Sequence, residues 1–301
     1  MEARRPVESK RGPWHHARMT VDEHSPAHAP AAPGTRAAAA AARSPRLAGV
    51  PFDERRAIVV GASSGIGAAL VRRLAREGYR VAALARRADQ LEALETACAD
   101  DCAASGGSVL ARPHDVTDVD AVPELFERLV RELGGLDLLV YAAGIMPGVE
   151  PEEYDTAKDL AMLDVNVAGC VAWCNPAANL FRSQRAGLLD GISSIAGDRG
   201  RKGNPVYCTS KAAMNTYLEA LRNRLAESRV HVCTIRPGYV DTAMTRGMEK
   251  LFWLISPDEA ARQILASARN RVNVRYVPLR WTFVGLALRL IPSFLFRRLN
   301  V

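Results

Sequence analysis

The chain has 301 residues, of which 48% are hydrophobic and 24% charged, and these values exclude a mainly disordered, collagenous or coiled-coil protein. Its six cysteines are too few for a small domain held together by disulfides. The net charge of +7 is uneven, because residues 1–50 and 260–301 are basic whereas residues 51–259 carry 24 basic and 29 acidic side chains. Nucleic-acid-binding proteins usually concentrate basic charge on the folded module, so we expect no nucleic-acid partner.

The first fifty residues are rich in proline and alanine and show no apolar periodicity. Such a segment buries too little apolar surface to offset the entropy lost on ordering. Residues 1–50 are therefore predicted to be a disordered, low-complexity extension. Both Met1 and Met19 are candidates for the start of translation.

From residue 51 onward, short β-branched runs alternate with helical stretches. This alternation predicts a doubly wound parallel α/β sheet of about seven strands, with helices on both faces, over residues 51–280. The predicted strands are Ala57–Val60, Arg80–Leu84, Ser108–Arg112, Leu136–Tyr141, Leu188–Ile192, Val230–Ile235 and Arg275–Val277. The apolar stripe after the first strand predicts a helix over Ile66–Glu77.

The first predicted strand runs directly into a glycine-rich turn, Gly61-Ala62-Ser63-Ser64-Gly65-Ile66-Gly67. Glycines permit a tight turn and a close approach of the backbone to a pyrophosphate. The helix that follows offers free N–H groups and its positive dipole end to the phosphates. The turn therefore predicts a dinucleotide site, and a plain strand-to-helix turn is the alternative for these residues alone.

The end of the second predicted strand indicates which nucleotide is preferred. It reads Leu84-Ala85-Arg86-Arg87, at the place where an NAD-dependent protein carries an acid for the ribose 2′-hydroxyl. Arg86 suits the 2′-phosphate of NADP, and Asp89 fits the first turn of the next helix better than the ribose. We therefore expect NADP(H), with NAD(H) as the alternative if both arginines are merely solvated.

A tyrosine and a lysine four residues apart form a second candidate site. Tyr207 and Lys211 lie on one face of a predicted helix. A nearby ammonium group favours the ionised phenol, whose reference pKa is about 10, and makes it usable for proton transfer. Taken alone, this spacing more often marks an exposed helical pair. Three motifs accompany it at predicted strand ends or a helix start: Asp164-Val165-Asn166-Val167, Ile192-Ser193-Ser194-Ile195-Ala196-Gly197 and Arg236-Pro237-Gly238-Tyr239-Val240-Asp241-Thr242.

Together, these motifs resemble the short-chain dehydrogenase/reductase family in its short, single-domain form, over about residues 52–280. The resemblance implies a Rossmann sheet and a catalytic tetrad. In that tetrad Tyr207 is the acid/base and Ser194 hydrogen-bonds the substrate oxygen. Lys211 holds the nicotinamide ribose and tunes Tyr207, and Asn166 supports a proton-relay water.

The resemblance also implies a set of cofactor contacts. Asp115 would contact the adenine edge, and Val240 and Thr242 would lie against the nicotinamide carboxamide. The full set of expected cofactor-binding residues is Gly61, Ser63, Ser64, Gly65, Ile66, Gly67, Arg86, Asp115, Ala143, Gly144, Tyr207, Lys211, Pro237, Gly238, Val240 and Thr242.

The implied function is that of an NADP(H)-dependent oxidoreductase that interconverts a carbonyl and a secondary alcohol of an apolar small molecule. A catalytically weak, NADP(H)-binding regulatory protein is the alternative, and the presence of all four tetrad residues argues against it. The resemblance further implies a homodimer or homotetramer. We expect a cytoplasmic protein, with contact to a membrane surface as an open question.

The sequence departs from the family pattern at three places in the central strands, the first being Val60, where the family usually has a threonine before the first glycine. The loop after the fourth strand reads Tyr141-Ala142-Ala143-Gly144, where the family usually has two asparagines before Ala-Gly, so a hydrogen bond between central strands is in doubt. Asp190 lies in a strand that should be buried on both faces and therefore needs a partner or a water.

The cysteines indicate no metal site. Cys98 and Cys102, like Cys170 and Cys174, are spaced as on one helix face, but zinc sites normally need two such pairs that converge. We therefore interpret all four as reduced, apolar packing residues.

The last part of the chain contains a candidate lid and an apolar, basic tail. Residues 243–255 include two methionines and Phe252-Trp253, which suggest an apolar pocket wall or ordinary packing of a short helix. Ser256 begins a capping box for the next helix. Residues 281–301 are interrupted by Arg289 and Pro292 and do not span a bilayer. They could lie on anionic lipid, pack between subunits or cover the active site, and their composition slightly favours subunit packing.

Overall fold

Seven parallel strands form the sheet in the computed structural model, which describes residues 55–150, 152–249 and 251–299. The strands are β1 (Arg56–Val60), β2 (Arg80–Ala85), β3 (Ser108–Pro113), β4 (Leu138–Tyr141), β5 (Leu188–Ile192), β6 (His231–Pro237) and β7 (Val274–Val277). Their order is β3-β2-β1-β4-β5-β6-β7. The predicted doubly wound parallel sheet is therefore confirmed, whereas the predicted extension over residues 1–50 lies outside the described residues.

The helices alternate with these strands and cover both faces of the sheet. They are α1 (Gly65–Arg76), α2 (Ala88–Ala97), α3 (Ala99–Ser105), α4 (Val122–Leu133), α5 (Thr156–Leu163), α6 (Gly169–Gln184), α7 (Pro205–Leu225), α8 (Pro257–Arg269), α9 (Trp281–Leu290) and α10 (Ser293–Phe296). Within the described ranges, none of these helices is both long and apolar enough to cross a membrane.

The core consists of two apolar layers, one on each face of the sheet. The strand β1 contributes side chains to both layers. Ala57 and Val59 pack into the layer under α1 and α8, whereas Ile58 and Val60 pack into the layer with α4, α6 and α7. Successive residues of a strand point to opposite faces, so a strand covered on both sides is apolar throughout. This burial explains why the strands could be recognised as continuous apolar runs.

Strand ends differ from the sequence prediction by up to two residues. β4 begins at Leu138 instead of Leu136. Just before this start, the carboxylate of Asp137 accepts hydrogen bonds from the backbone N–H and the guanidinium of Arg56, at 3.0 and 2.9 Å. β6 extends to Pro237, which pairs with Val277 of β7. Pairing with neighbouring strands, which the local pattern does not encode, sets these ends.

Asp190 is the polar exception within the sheet. It is fully buried on β5 between Val140 and Cys233, and neither of its carboxylate oxygens has a hydrogen-bond partner among the described residues. Burial raises the pKa of Asp190 to about 8. The carboxyl group is therefore largely protonated at neutral pH, which avoids the cost of an unpaired buried charge.

Candidate functional site

The carboxyl ends of the strands form a cleft where the chain order of the sheet reverses. β1 lies between β2 and β4, so the chain leaves the sheet in opposite directions on the two sides of β1. Such a switch point leaves a crevice outside the strand ends, where open α/β sheets bind ligands. The crevice here has a volume of about 420 Å³ and is bordered by residues from both halves of the sheet.

The glycine-rich turn forms one wall of this cleft, and two of its glycines have no room for a side chain. A Cβ atom on Gly61 would lie 2.4 Å from the backbone N of Ala143, and one on Gly67 would lie 2.1 Å from the carbonyl O of Gly61. Gly61 and Gly65 also have positive φ angles of 91° and 54°. At these glycines the turn brings backbone to the cleft, whereas Ser63, Ser64 and Ile66 line it as well.

The start of α1 is open towards an anion. Its N-cap, Ser64, makes no side-chain hydrogen bond to the first turn. The first N–H groups of a helix have no partner within the helix, so they remain available to a negatively charged group. The glycine wall and this helix end fit the pyrophosphate of a dinucleotide by shape and by charge.

Two arginines border the same end of the cleft, and they are engaged differently. Arg86 is exposed and lies 3.8 Å from the Asp115 carboxylate. Arg87 reaches across the glycine turn and donates hydrogen bonds to the hydroxyls of Ser63 and Ser64, each at 2.8 Å. Sequence reasoning selected Arg86 and missed Arg87, although the two are adjacent and only the backbone direction at the end of β2 distinguishes them.

Asp115 lies beside the cleft and not among the residues that line it. One of its carboxylate oxygens accepts hydrogen bonds from the N–H and the hydroxyl of Thr117, at 3.0 and 2.9 Å. Burial would raise the pKa of Asp115, but these bonds together with the charges of Arg86 and His114 lower it. Asp115 is therefore ionised and fixes the orientation of its own loop.

Tyr207 and Ser194 meet at the other end of the cleft. Tyr207 lies in the first turn of α7, which Asn204 caps by accepting a hydrogen bond from the Tyr207 N–H at 3.0 Å. Ser194 ends the loop after β5, and its hydroxyl accepts a hydrogen bond from the Ala196 N–H at 3.0 Å. The Tyr207 hydroxyl lies 3.9 Å from the sulfur of Met244 in the candidate lid.

Lys211 lies one helical turn beyond Tyr207 and is almost completely buried. Its ammonium group donates a hydrogen bond to the carbonyl O of Ile192 at 3.0 Å and lies 5.8 Å from the centre of the Tyr207 ring. Its Nζ atom would be 3.4 Å from a Cβ atom on Gly144. Tyr207 and Lys211 therefore line the same cleft, and their joint action on one ligand stays a prediction.

The pKa values of the two residues are shifted by burial. Burial raises the pKa of Tyr207 to about 12, and the Ser194 hydroxyl and the charge of Arg201 act in the opposite direction. Burial lowers the pKa of Lys211 to about 8, and the neighbouring Cys170 acts against this change. At neutral pH Tyr207 therefore carries its proton, and most Lys211 side chains are charged.

Asn166 lies behind the cleft and does not line it. It belongs to a π-helical turn, Asp164–Ala168, that joins α5 to α6, a local widening that often marks functional positions. Its side chain accepts a hydrogen bond from the Ile145 N–H at 2.8 Å and donates to the Ile145 carbonyl and the Ser210 hydroxyl, both at 3.0 Å. Asn166 therefore joins the loop after β4 to α7.

Tyr141 replaces one of the asparagines usual for the family and makes a different link. Its buried hydroxyl donates a hydrogen bond to the carbonyl O of Val165 at 2.5 Å. A Cβ atom on Gly169 would lie 2.5 Å from that hydroxyl, so the glycine makes room for the phenol. The end of β4 is thus tied to the turn that carries Asn166.

Most of the predicted site residues lie around the one cleft. Those that line it are Gly61, Ser63, Ser64, Gly65, Ile66, Gly67, Arg86, Ala143, Gly144, Ser194, Tyr207, Lys211, Pro237, Gly238, Val240 and Thr242. Lining residues that the sequence analysis did not assign to the site include Arg87, Ile145, Ile192 and Thr245. Each of these is within three residues of a predicted one, so proximity along the chain was the signal.

The cysteines are packing residues in the structure. All six are free thiols, and Cys170 and Cys174 are fully buried, with their sulfur atoms 3.8 Å apart. Among the described residues, no group of three or more His, Cys, Asp or Glu side chains is arranged to hold a metal ion.

The C-terminal segment packs against the turn that follows Ser194. Asp198 in that turn accepts hydrogen bonds from Arg236, Arg289 and Tyr276 at 2.9, 2.6 and 2.7 Å. Arg199 donates to the carbonyl O of Leu288 at 2.7 Å and to that of Ile291. These contacts hold α9 against the body of this same chain, and the three interpretations of residues 281–301 stay predictions.

The candidate lid is a series of turns and not the short helix that was one alternative. Trp281 at the start of α9 stacks on Phe252 with ring centres 4.9 Å apart and meets the rings of Tyr239 and Trp253 edge-on. It also covers Gly238, where a Cβ atom would lie 2.1 Å from the indole ring. Of the predicted capping box, the Ser256 half is present: its hydroxyl accepts a hydrogen bond from the Glu259 N–H, whereas the Glu259 carboxylate binds Arg262 and Gln263.

Comparison with known proteins identifies relatives of this chain. The sequence profile of the short chain dehydrogenase family matches residues 55–250. An uncharacterized oxidoreductase of Myxococcus xanthus is 39% identical over 64% of this chain and 74% of its own length. An uncharacterized oxidoreductase of Staphylococcus aureus strain USA300 is 34% identical over 76% of this chain and 98% of its own.

Solved structures give the same result for the fold. A short-chain type dehydrogenase/reductase from Mycobacterium marinum is 28% identical, with a TM-score of 0.65 over 71% of this chain and 88% of that one. Another, from Mycobacterium ulcerans, has a TM-score of 0.70 over 83% of this chain and all of its own, but at 23% identity this likeness concerns the fold alone.

Proposed function

The chain belongs to the short-chain dehydrogenase family, and from the cleft that it carries we propose that it is an NADP(H)-dependent oxidoreductase that interconverts a carbonyl and a secondary alcohol. The observation that carries the proposal is the meeting of Ser194, Tyr207 and Lys211 with the glycine-rich turn around one cleft. A bound nicotinamide would supply or accept the hydride.

Tyr207 and Ser194 act on the substrate oxygen in the proposed reaction. Negative charge develops on this oxygen as a carbonyl is reduced, and the protonated Tyr207 hydroxyl gives its proton there. The Ser194 hydroxyl accepts a bond from the Ala196 N–H and has the Tyr207 hydroxyl as its other partner, so its hydrogen is available to a substrate oxygen that comes between the two hydroxyls. It therefore donates to the same oxygen, and both dipoles are in place before the charge develops.

Lys211 has two roles in the proposed mechanism. Its ammonium group lies close enough to the Tyr207 ring to favour the phenolate that remains after proton transfer. The bonds to the Ile192 carbonyl and to the Met214 sulfur use two of its three hydrogens, so one is available to the nicotinamide ribose.

Asn166 acts as a positioning residue in this proposal. Its amide holds the backbone of Ile145, which lines the cleft next to Gly144. Both of its N–H donors are used by Ile145 and Ser210, so the support that it gives to a proton-relay water would pass through the backbone that it fixes.

The residues of the cleft fit a dinucleotide. Gly61 and Gly67 allow the backbone to approach a pyrophosphate closely, and the open start of α1 offers N–H groups to it. Asp115 would bind the adenine edge, and Ala143 and Gly144 would allow close approach of the cofactor. Further contacts are proposed for Pro237, Gly238, Val240 and Thr242, which line the same cleft.

NADP(H) is the proposed cofactor, because two guanidinium groups border the cleft where the ribose 2′-phosphate would lie. Arg86 and Arg87 both line it, and the neighbouring Asp115 is engaged by Thr117 and Arg86. Arginine binds phosphate through paired hydrogen bonds. NAD(H) is the alternative and would leave both arginines without a phosphate partner.

The proposed substrate is apolar near its reacting carbon. Ile145, Ile192 and Met244 contribute apolar side chains close to Tyr207, and the lid that carries Met244 is rich in aromatic residues. The six free thiols fit a reducing compartment, which supports the cytoplasm as the proposed location. An assembly of two or four copies remains a prediction.

The test is NADPH oxidation with a panel of apolar ketones and aldehydes, with Tyr207→Phe as the matched variant. We expect the wild-type protein to oxidise NADPH with at least one carbonyl. Loss of the hydroxyl should reduce turnover by about a thousandfold, within the range for general acid catalysis, while NADPH affinity changes less than about twofold.

Two outcomes would contradict the proposal. If Tyr207→Phe retains turnover within about tenfold of wild type, Tyr207 is not the proton donor. If wild type binds NADPH but turns over no member of the panel, the regulatory, catalytically weak alternative is favoured.

A further inference from the structure

The C-terminal segment presents a stripe of apolar side chains to solvent. Phe283, Leu286 and Leu290 on α9 are 77%, 56% and 71% exposed, and their spacing places them on one side of the helix. Phe294 and Leu295 on α10 are exposed as well. We call these five residues the tail face. A group of exposed large apolar side chains in one segment is typical of an interaction surface.

The tail face is held in place from behind. Arg289 on α9 pairs with Asp198, which is buried and also binds Arg236 and Tyr276. The guanidinium of Arg199 stacks on the ring of Phe296 at 4.1 Å. These contacts involve the side of the segment that packs on the rest of the chain. The tail face is on the other side and remains exposed to solvent.

The surroundings of the tail face are positively charged. Residues 260–301 contain eight arginines and no acidic residue. No carboxylate of the described residues lies within salt-bridge distance of Arg280, Arg297 or Arg298. Arg280 instead stacks on Trp253 of the lid, with its guanidinium 5.1 Å from the ring. Apolar side chains flanked by uncompensated cations are the composition of surfaces that lie on anionic lipid.

A second cavity next to the tail face adds a place for an anionic headgroup. It has a volume of about 410 Å³ and lies between the loop after Asp198 and α10. Three cations, Arg199, Lys202 and Arg297, border it together with the Ser293 hydroxyl and the ring of Phe296. Cations beside an apolar ring suit a phosphate that is attached to an acyl chain.

We propose that the tail face docks on an anionic membrane surface, with its apolar side chains at the lipid interface and a lipid phosphate in the cavity of Arg199, Lys202 and Arg297. A second copy of the chain fits the charges less well. A twofold interface sets a patch against itself, so it would bring these arginines together without an acidic residue from the segment to pair with them.

Docking through this face would bring the lid close to the lipid. Trp281, at the start of α9, stacks on Phe252, and the same lid places Met244 beside the Tyr207 hydroxyl. An apolar substrate dissolved in the membrane would then meet the side of the cleft that is itself apolar. The docking does not depend on the proposed reaction and is tested separately from it.

The experiment is co-sedimentation of the full-length protein with vesicles of phosphatidylcholine alone or of phosphatidylcholine with phosphatidylglycerol. We expect binding to the anionic vesicles at least about tenfold stronger than to the neutral ones, and weaker in high salt. The double variant Phe283→Ser/Leu290→Ser should lose binding to both. Arg297→Glu/Arg298→Glu should lose the preference for anionic vesicles.

Matched controls change the same residue types elsewhere on the surface. Leu160→Ser on α5 and Arg224→Glu on α7 should bind like wild type, since both side chains are exposed and neither belongs to the tail face. Circular dichroism and NADPH affinity check that every variant is folded. The two arginines are exposed, so their variant keeps the test valid if the apolar variant fails to fold.

Three results would overturn the proposal. The first is absence of wild-type binding to the anionic vesicles. The second is unchanged binding of Phe283→Ser/Leu290→Ser, which would assign lipid contact to another part of the chain, such as the basic residues 1–50. The third is a fall in solution mass of that variant without lipid, which would identify a second copy as the occupant.

Discussion

The two walls of the cleft are built by different means. On the nucleotide side, backbone contacts backbone, and Gly61 and Gly67 have no space for even a methyl group. On the lid side, Met244 and Thr245 line the cleft, and the lid is held by aromatic rings from three segments, Tyr239, Phe252 and Trp281. A backbone contact fixes one geometry, whereas a ring cluster can be rebuilt by exchanging side chains. The nucleotide wall therefore suits one cofactor, and the lid wall can be adapted to different substrates.

The largest effect is expected for Gly67→Ala on the nucleotide wall. The new Cβ atom would lie 2.1 Å from the Gly61 carbonyl O, and both atoms belong to backbone that cannot move aside independently. We expect a loss of about 3 kcal/mol of unfolding free energy and a fall in NADPH affinity of about a hundredfold. Denaturant unfolding and fluorescence titration with NADPH measure the two effects.

The control for this substitution is Gly148→Ala, because a Cβ atom there meets no atom within 4 Å. It should behave like wild type in both measurements. Equal NADPH affinity in Gly67→Ala and Gly148→Ala would show that the nucleotide wall is as adaptable as the lid wall.

Trp281→Ala tests the lid wall. The indole is almost fully buried against Phe252 and Gly238, so its loss should reduce the unfolding free energy by about 3 kcal/mol. Because the ring supports the lid, KM for the carbonyl should rise more than the dissociation constant of NADPH. Phe283→Ala, an exposed neighbour on α9, should change stability by less than about 0.5 kcal/mol. If Trp281→Ala raises the dissociation constant of NADPH more than KM for the carbonyl, the two walls do not act separately.

Asp190 lies in the sheet beneath both walls. Because its carboxyl group is buried, we expect the stability of the fold to depend on pH. Its pKa is about 8 in the folded chain, against about 3.9 in an unfolded one. Between these two pKa values the folded state holds one proton more than the unfolded state. The contribution of Asp190 to the free energy of unfolding is therefore complete below the lower pKa and is lost as pH rises towards the upper one. The slope is about 1.4 kcal/mol per pH unit between pH 5 and 7.

The isosteric variant Asp190→Asn should remove this slope from denaturant unfolding curves recorded between pH 5 and 9. Asp120→Asn, at an exposed position, serves as the control and should keep the wild-type slope. Parallel slopes in wild type and Asp190→Asn would mean that Asp190 is ionised in the fold and has a partner.

The smallest effects are expected at the two arginines. Arg86→Ala should reduce the ratio of specificity constants for NADPH over NADH by about tenfold, because it removes one charged hydrogen-bond partner of the 2′-phosphate. Arg87→Ala should weaken the binding of both NADPH and NADH, because Arg87 also holds the Ser63 and Ser64 hydroxyls of the turn. An unchanged ratio in both variants would remove the argument for NADP(H).

The nucleotide side was more predictable from the sequence than the lid side. Gly61, Arg86 and Tyr207 stand at strand ends or one helical turn from another polar residue, and both spacings can be read from the chain alone. Arg87 was missed because its contact with Ser63 depends on how two loops meet across the cleft. The contact of Trp281 with Phe252 likewise joins segments that no local periodicity relates.

The sequence by itself determined the parallel sheet, its strands and the glycine-rich turn, because apolar periodicity and the conformational freedom of glycine are local properties. Only the tertiary structure decided that Asn166 faces Ile145 from behind the cleft, that Asp190 has no hydrogen-bond partner within the described part of the chain, and that Asp198 and Arg199 hold α9. Each of these depends on which distant groups become neighbours once the layers pack, and on how much water that packing removes.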